Sequence, residues 1–262
     1  FLFPAFNSDT NPDSWLNVYW LLAGLTVVSF GFLFFTKFEE IKDIAGVNLA
    51  DDFAQMFALL AKLLTIVFVI SAFLFVMIEQ GIMSWLPTFN QKVLHLDEKL
   101  AGQMAVILML SIAFGRFISG IIVKKISWFS YLAFCLIAAA LLIIFVLPEA
   151  ENSSVTEINS LGQVPWIGFV FPLIGLFLAP IYPLVNSTIL SATQKSSHSA
   201  VAGLLTFFSA IGGTFGSVII GVLFQNIGGG KAFYFSLIPL SVLLVVLFFI
   251  NKISSKNETL YS

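Results

Sequence analysis

Residues 63–89 read LLTIVFVISAFLFVMIEQGIMSWLPTF, and this stretch decides the fold. Its one formal charge is Glu79. About 20 apolar residues suffice for an α-helix to cross a hydrocarbon core of roughly 30 Å. The apolar residues run continuously, without the period-two alternation that is typical of a membrane β-strand. The stretch therefore predicts a transmembrane helix.

Six further apolar stretches of similar length stand between charged residues. They are residues 14–36, 100–123, 126–148, 164–189, 200–225 and 232–251. Loops between most of them are short, so no separate soluble domain is expected. We predict an all-α fold, a polytopic membrane helical bundle of about seven transmembrane helices, and we number these stretches as spans in chain order with 63–89 as the second.

The overall composition agrees with this fold. Hydrophobic residues make up 59% of the 262-residue chain and charged residues only 10%, against about 25% in a soluble domain. This excludes an ordinary soluble enzyme and a disordered chain, and the net charge of −2 gives no basic field for nucleic acid. One cysteine and two histidines offer neither an internal disulfide nor a zinc pattern, so we expect no metal and no cofactor.

The lysines predict the orientation. With the first span running from outside to inside, eight lysines fall in cytoplasmic segments and three in outer segments, which the positive-inside rule favours. The C-terminus is then cytoplasmic, and we expect an integral protein of the plasma (inner) membrane. The cytoplasmic segment between the first two spans repeats apolar residues at helical spacing, which predicts an amphipathic helix at the membrane face. These are Leu49, Phe53, Met56, Phe57 and Leu60.

Glu79 and Arg116 are the charges inside the spans. An ionised carboxylate within a bilayer needs water, a cation or a proton as a partner, so Glu79 is either a proton or substrate site or a structural acid. Arg116 lies about 12 Å from the predicted inner end of the third span, whereas Glu79 lies about 25 Å from that end of the second. We therefore expect no direct ion pair. Arg116 snorkels, bonds helix-end carbonyls, closes an inner gate or contacts substrate.

Polar and helix-breaking residues mark three more places. Gln80 and Trp85 follow Glu79, and with Pro87 they indicate either a partly unwound outer half or an interfacial anchor at a helix end. In the fifth span, Pro180 and Pro183 remove amides that would bond carbonyls four residues earlier, which favours either a bend with free carbonyls or a static kink. In the sixth, the small residues Ser209, Gly212, Gly213, Gly216 and Ser217 predict close helix packing.

Three stretches together resemble the second half of a major facilitator superfamily transporter. Residues 115–120, GRFISG, ending in Lys124 and Lys125, resemble the second-half cytoplasmic loop motif, although the motif's acidic position holds Lys124. Residues 179–183, APIYP, with Asn186 resemble the tenth helix, and residues 203–221 the eleventh. Glu79 followed by residues 84–87, SWLP, is similar to the seventh helix of the fucose-permease-like sugar:proton symporters.

The resemblance implies a division of the chain. Residues 1–14 would be an outer segment, 15–36 the sixth helix, 37–62 the cytoplasmic linker, 63–251 the six-helix second half, and 252–262 a cytoplasmic tail. The chain begins with Phe1, and we expect a fragment whose N-terminal half is missing. The lipid bilayer, a small-molecule substrate and that half are the expected partners.

The resemblance also implies the candidate site residues. A substrate or proton cavity would be lined by Glu79, Gln80, Trp85, Gln103, Asn186, Phe207 and Phe208. The gating or loop motif would comprise Gly115, Arg116, Gly120, Lys124 and Lys125, and the helix break Pro180 and Pro183.

Three functions remain open. The first is a secondary active transporter, working by alternating access, that moves a small polar solute such as a sugar with protons. The second is an amphiphile or drug exporter, or a facilitator, of the same superfamily. The third is a seven-helix receptor, against which stand the single cysteine and the position of Lys231 near a helix end. No nucleophile–base pattern indicates an enzyme.

Overall fold

The computed structural model describes residues 16–36, 49–151, 158 and 160–258. The predicted outer segment 1–14, residues 37–48 of the linker and the last four residues of the predicted tail lie outside the described part. The described chain divides into two units, residues 1–48 and residues 49–262. The first unit contains the helix Asn17–Phe35, in which Val18 is the buried residue.

Within the described ranges, seven helical segments are long and apolar enough to cross a membrane, and no β-strand is present. This confirms the predicted all-α membrane bundle. Numbered as the sequence predicts, the first to seventh spans are Asn17–Phe35, Leu63–Lys92, Glu98–Ile122, Trp128–Ala150, Trp166–Ala192, His198–Ile227 and Gly229–Lys252.

The second and sixth spans form a tightly packed parallel pair. A methyl group on Gly212 would collide with the carbonyl of Phe73, and one on Gly216 with the carbonyl of Met77. Both contacts advance along the two helices in the same direction, so the helices run parallel. Small residues let helix backbones approach this closely in lipid, as the small-residue pattern predicts.

The third and fifth spans form a second parallel pair, also joined through glycines. A methyl group on Gly175 would lie 2.8 Å from the carbonyl oxygen of Leu108, and one on Gly115 would lie 2.6 Å from that of Leu176. Gly115, a predicted gating residue, therefore lies in a helix contact.

The fifth span is interrupted twice. Helix Trp166–Val170 passes into a 3₁₀ turn, Phe171–Leu173, and helix Ile174–Leu178 then ends at a turn through Ala179 and Pro180. Helix Ile181–Ala192 completes the span. The interruption at Pro180 is buried, whereas Pro183 lies inside the first turn of that last helix, where a missing amide costs no intrahelical bond.

The second span is continuous, although Pro87 lies inside it. Of the two alternatives for this region, the partly unwound outer half is therefore wrong. Pro87 removes the amide that would bond the carbonyl of Met83, yet the helix continues to Lys92. The buried Asn90 ties the helix end to the next span by donating from Nδ2 to the carbonyl of Ala101 at 3.2 Å.

The amphipathic segment forms the helix Leu49–Ala58, followed by a 3₁₀ turn, Leu59–Ala61. It packs on the sixth span. The Phe57 and Phe207 rings meet edge to face with centroids 5.9 Å apart, and Met56 Sδ would lie 3.0 Å from a methyl group on Gly203. This contact places the helix beside the predicted inner end of the bundle.

At the predicted outer end, the turn between the second and third spans is bonded to the loop before the fifth. The Asp97 amide donates to the carbonyl of Ile158 at 3.0 Å, and the Ile158 amide donates to the carbonyl of His95 at 2.9 Å. His95 adopts a φ of 54°, in the left-handed region. Two backbone hydrogen bonds thus join the turn after the second span to the loop before the fifth.

Candidate functional site

Glu79 and Arg116 form an ion pair inside the bundle. Glu79 Oε1 lies 4.0 Å from Arg116 Nη2, and the side chains are 12% and 54% exposed respectively. The expectation that these residues do not meet is therefore wrong.

The two residues meet because the second and third spans are level at their outer ends and not at their inner ends. The second span has 30 residues and the third only 25, and the short turn that joins them keeps their outer ends level. Measured from Lys92 and Glu98, Glu79 lies about 20 Å deep and Arg116 about 27 Å deep at 1.5 Å per residue. A long arginine side chain bridges the remaining difference. Glu79 also lies near the middle of its helix, not toward its end.

Gln80 points to a different neighbour from Glu79. A methyl group on Gly213 would lie 3.0 Å from Gln80 Cγ, so the glycine allows Gln80 to lie across the sixth span. Consecutive helix residues point about 100° apart. The second span therefore directs Glu79 to the third span and Gln80 to the sixth.

Trp85 also joins the second and sixth spans, about one turn beyond Gln80 along the second span. Its Nε1 donates to the carbonyl of Ser217 at 2.8 Å, and its ring lies 5.4 Å from that of Phe224. A methyl group on Gly221 would collide with the Trp85 ring. Trp85 is thus placed between helices, and not at a helix end as an interfacial anchor would be.

The remaining predicted cavity residues lie away from the ion pair. Gln103 precedes Arg116 by about 20 Å along the same helix. Asn186 is one turn from Tyr182, whose ring stacks at 5.9 Å on Phe75. The Oδ1 of Asn186 is buried without a hydrogen-bond partner among the described residues.

Phe207 and Phe208 lie toward the predicted inner end of the sixth span. Their rings meet at 5.4 Å, and Phe208 lines an apolar groove of about 460 Å³ with Phe73 and Phe215. The structure therefore does not gather the predicted cavity residues at one point. It distributes them along both sides of the second span.

The loop-motif residues also separate. Gly115 is buried against the fifth span, whereas nothing lies within 4 Å of a methyl group on Gly120. Lys124 and Lys125 are exposed in the turn after the third span. Ser119 Oγ donates to the carbonyl of Arg116 at 2.8 Å. Of these loop-motif residues, Arg116 is the one that pairs with Glu79.

Sequence reasoning missed Ser209 and Thr214 as site residues, since it treated the former as part of a small packing surface. Both line a cleft opposite Gln80. Ser209 is 8% exposed, and its Oγ has no hydrogen-bond partner among the described residues. The available signal was their spacing: both lie within about one turn of Gly213, on the side of the helix that Gln80 crosses.

The sequence profile described as the Major Facilitator Superfamily matches residues 2–217 of the chain. The chain belongs to this superfamily. Membership and the seven apolar helices of the described part together identify an integral membrane protein.

Among curated relatives, this superfamily member is similar to proteins called "Protein TsgA homolog" from Buchnera aphidicola. The protein from Buchnera aphidicola subsp. Acyrthosiphon pisum (strain APS) is 22% identical over 189 residues, which cover 72% of this chain and 44% of that relative. The protein from Buchnera aphidicola subsp. Schizaphis graminum (strain Sg) is 23% identical over 191 residues, which cover 72% of this chain and 44% of that relative. The chain thus spans less than half the length of the curated relatives it matches.

Proposed function

We propose that the full-length protein is a secondary active transporter that works by alternating access and moves a small polar solute, such as a sugar, together with protons. Superfamily membership supports transport and favours it over both a receptor and an enzyme. On this proposal the chain supplies the sixth helix, the linker and the second six-helix half. Its partners are then the bilayer, the substrate and an N-terminal half.

The observation that carries proton coupling is the position of Glu79. It lies near the middle of a membrane-spanning helix, it is 12% exposed, and its charged neighbour Arg116 is 4.0 Å away and half exposed. A carboxylate at this depth is costly when ionised and poorly paired, and intramembrane carboxylates mark proton relays. Binding a proton at Glu79 removes that cost and releases Arg116, which gives the site two charge states.

The experiment uses the full-length protein in proteoliposomes with an imposed pH gradient. We expect the gradient to drive hexose accumulation in the unmodified protein and not in the Glu79→Gln variant. The matched control is Glu98→Gln, because Glu98 is an exposed carboxylate in the first turn of the third span. Uptake that does not depend on the pH gradient, or a Glu79→Gln variant that still accumulates solute, would contradict proton coupling.

The apolar groove favours a second candidate, an amphiphile or drug exporter or a facilitator. Its lining is entirely apolar and includes Phe73, Phe208 and Phe215. Apolar and aromatic linings are typical of sites for drug-sized ligands. A thermal-shift comparison separates the candidates, since an exporter of this kind would be stabilised by hydrophobic cations and not by hexoses.

The orientation follows the lysine distribution. We propose that the turn containing Lys124 and Lys125 and the C-terminus face the cytoplasm of a plasma (inner) membrane. Labelling of cysteines introduced at Lys125 and at Lys99 in intact cells tests this. The cysteine of Lys99→Cys should react with a membrane-impermeant thiol reagent, and the cysteine of Lys125→Cys should not.

A further inference from the structure

An apolar groove of about 120 Å³ runs between the fourth and seventh spans. It opens on the surface of the described bundle, because Ile137 is 49% exposed and Leu141 46%. Ser241 also borders it, but the Ser241 hydroxyl already donates to the carbonyl of Leu237 at 2.8 Å. The groove therefore suits a hydrocarbon chain better than a polar solute. Its apolar lining consists of Leu136, Ile137, Ala140, Leu141, Leu240 and Leu244.

Aromatic side chains continue this apolar surface to one end of the two spans. The ring of Phe129, near the start of the fourth span, lies 6.2 Å from that of Phe248, near the end of the seventh, so these helices run antiparallel. Phe248 is 53% exposed. The groove residues lie about 12–20 Å from Trp128 or Lys252 at 1.5 Å per residue, and one leaflet is about half of the roughly 30 Å hydrocarbon core. An acyl chain that starts at this end therefore reaches the groove.

The same end of the two spans is basic. Lys124 and Lys125 are exposed in the turn before the fourth span, and Lys252, also exposed, ends the seventh. No acidic residue occurs in residues 99–148 or in residues 158–257. This end therefore presents cations with no acid from the same stretches of sequence, which favours a partner with negative charge. Basic pockets between transmembrane helices are typical sites for anionic lipid headgroups.

Trp128 indicates that these lysines lie at the level of the lipid headgroups. Its ring is partly buried and meets that of Phe129 edge to face at 6.0 Å, and the neighbouring Ile126 is 51% exposed. Tryptophan is enriched at the membrane–water interface, where its amphipathic ring is favoured. Lysine binds phosphate as a point charge. A phosphate joined to acyl chains can therefore contact the lysines and the groove together, whereas a free phosphate contacts only the lysines.

We propose that an anionic phospholipid binds along the fourth and seventh spans, with its phosphate on Lys124, Lys125 and Lys252 and an acyl chain in the groove. With the orientation proposed above, this is a lipid of the inner leaflet. A zwitterionic lipid brings a cationic group to the same lysines and binds more weakly. The site lies on spans that contain neither Glu79 nor Arg116, so it does not depend on the proposed proton coupling.

The test uses the full-length protein in detergent and counts bound lipid by native mass spectrometry. The probes are phosphatidylglycerol and phosphatidylcholine with identical acyl chains, and glycerol phosphate, which is a headgroup without chains. We expect one phosphatidylglycerol to bind at least about tenfold more tightly than phosphatidylcholine, because each interfacial lysine attracts anionic lipid. Glycerol phosphate at the same concentration should not displace it. Equal retention of the two lipids, or displacement by glycerol phosphate, would overturn the proposal.

The first variant combines Lys124→Gln with Lys125→Gln. Its matched control combines Lys62→Gln with Lys195→Gln, which removes two exposed lysines at the predicted inner ends of other spans. The first pair should weaken phosphatidylglycerol binding roughly tenfold and leave phosphatidylcholine binding unchanged. The control pair should change neither. Equal weakening by both pairs would mean that the overall charge of the inner face attracts the lipid, which contradicts a defined site.

The second variant, Ala140→Leu, fills the groove and keeps every charge. It should weaken binding of both lipids roughly two- to tenfold, the scale of one or two methylene groups that lose their contacts, and keep the preference for phosphatidylglycerol. Ala138→Leu is the control, because Ala138 is also partly buried on this helix and is not part of the groove lining. Normal lipid binding by Ala140→Leu, or an equal loss in Ala138→Leu, would show that the groove does not hold the acyl chain.

Discussion

The α-carbon of Gly115 faces the carbonyl oxygen of Leu176, the group whose usual amide partner is absent because residue 180 is proline. A methyl group on Gly115 would lie 2.6 Å from that oxygen and 2.8 Å from Ala179 Cβ. The glycine thus covers the place where the fifth span breaks. Two features that the sequence presents separately, a loop-motif glycine and a proline-rich helix, form one contact.

Replacing Gly115 by alanine should therefore destabilise the protein. The methyl group would meet backbone atoms that cannot move independently, and overpacking of this kind costs about 1–3 kcal/mol. The thermal midpoint of the detergent-solubilised protein should fall. Gly120→Ala is the control on the same helix, since nothing lies within 4 Å of its methyl group. A Gly115→Ala variant as stable as Gly120→Ala would show that the third and fifth spans do not approach as described.

Trp85→Phe should lower stability by at least about 1 kcal/mol, the usual net value of one hydrogen bond. Phenylalanine keeps a ring facing Phe224 but loses the 2.8 Å donation from Nε1 to the carbonyl of Ser217 and the outer ring atoms that pack on Gly221. Trp166→Phe is the control, because Trp166 is 53% exposed. Equal midpoints for both variants would argue against the bond.

The Glu79–Arg116 pair predicts coupling between two substitutions. Arg116→Gln should destabilise the protein, because it leaves the Glu79 carboxylate without its charged neighbour, and it should cost less when Glu79→Gln is already present. Because Arg116 is 54% exposed, we expect a coupling energy of only about 0.5–1 kcal/mol. Denaturant titration of all four proteins completes the cycle. Strictly additive losses would mean that the two side chains do not interact.

The sequence was sufficient for the spans and for the glycine contacts of the sixth span, because apolar length and small-residue spacing are local properties. It was not sufficient for the Glu79–Arg116 pair, which depends on two helices of unequal length being level at one end. It also could not reveal that the buried Ser209 Oγ has no hydrogen-bond partner among the described residues. Such features depend on neighbouring helices, and no single-helix pattern contains them.

The amphipathic helix Leu49–Ala58 gives the last prediction, because one edge-to-face contact links it to the sixth span. The Phe57 and Phe207 rings are 5.9 Å apart, and an aromatic pair contributes about 0.5–1.5 kcal/mol beyond its buried area. Phe57→Ala and Phe207→Ala should each speed amide hydrogen exchange in residues 49–61 by roughly two- to tenfold, since local opening follows local stability. Phe53→Ala is the control, as Phe53 is 57% exposed. Equal acceleration by Phe53→Ala would mean that burial of any apolar residue, and not the ring contact, holds the helix in place.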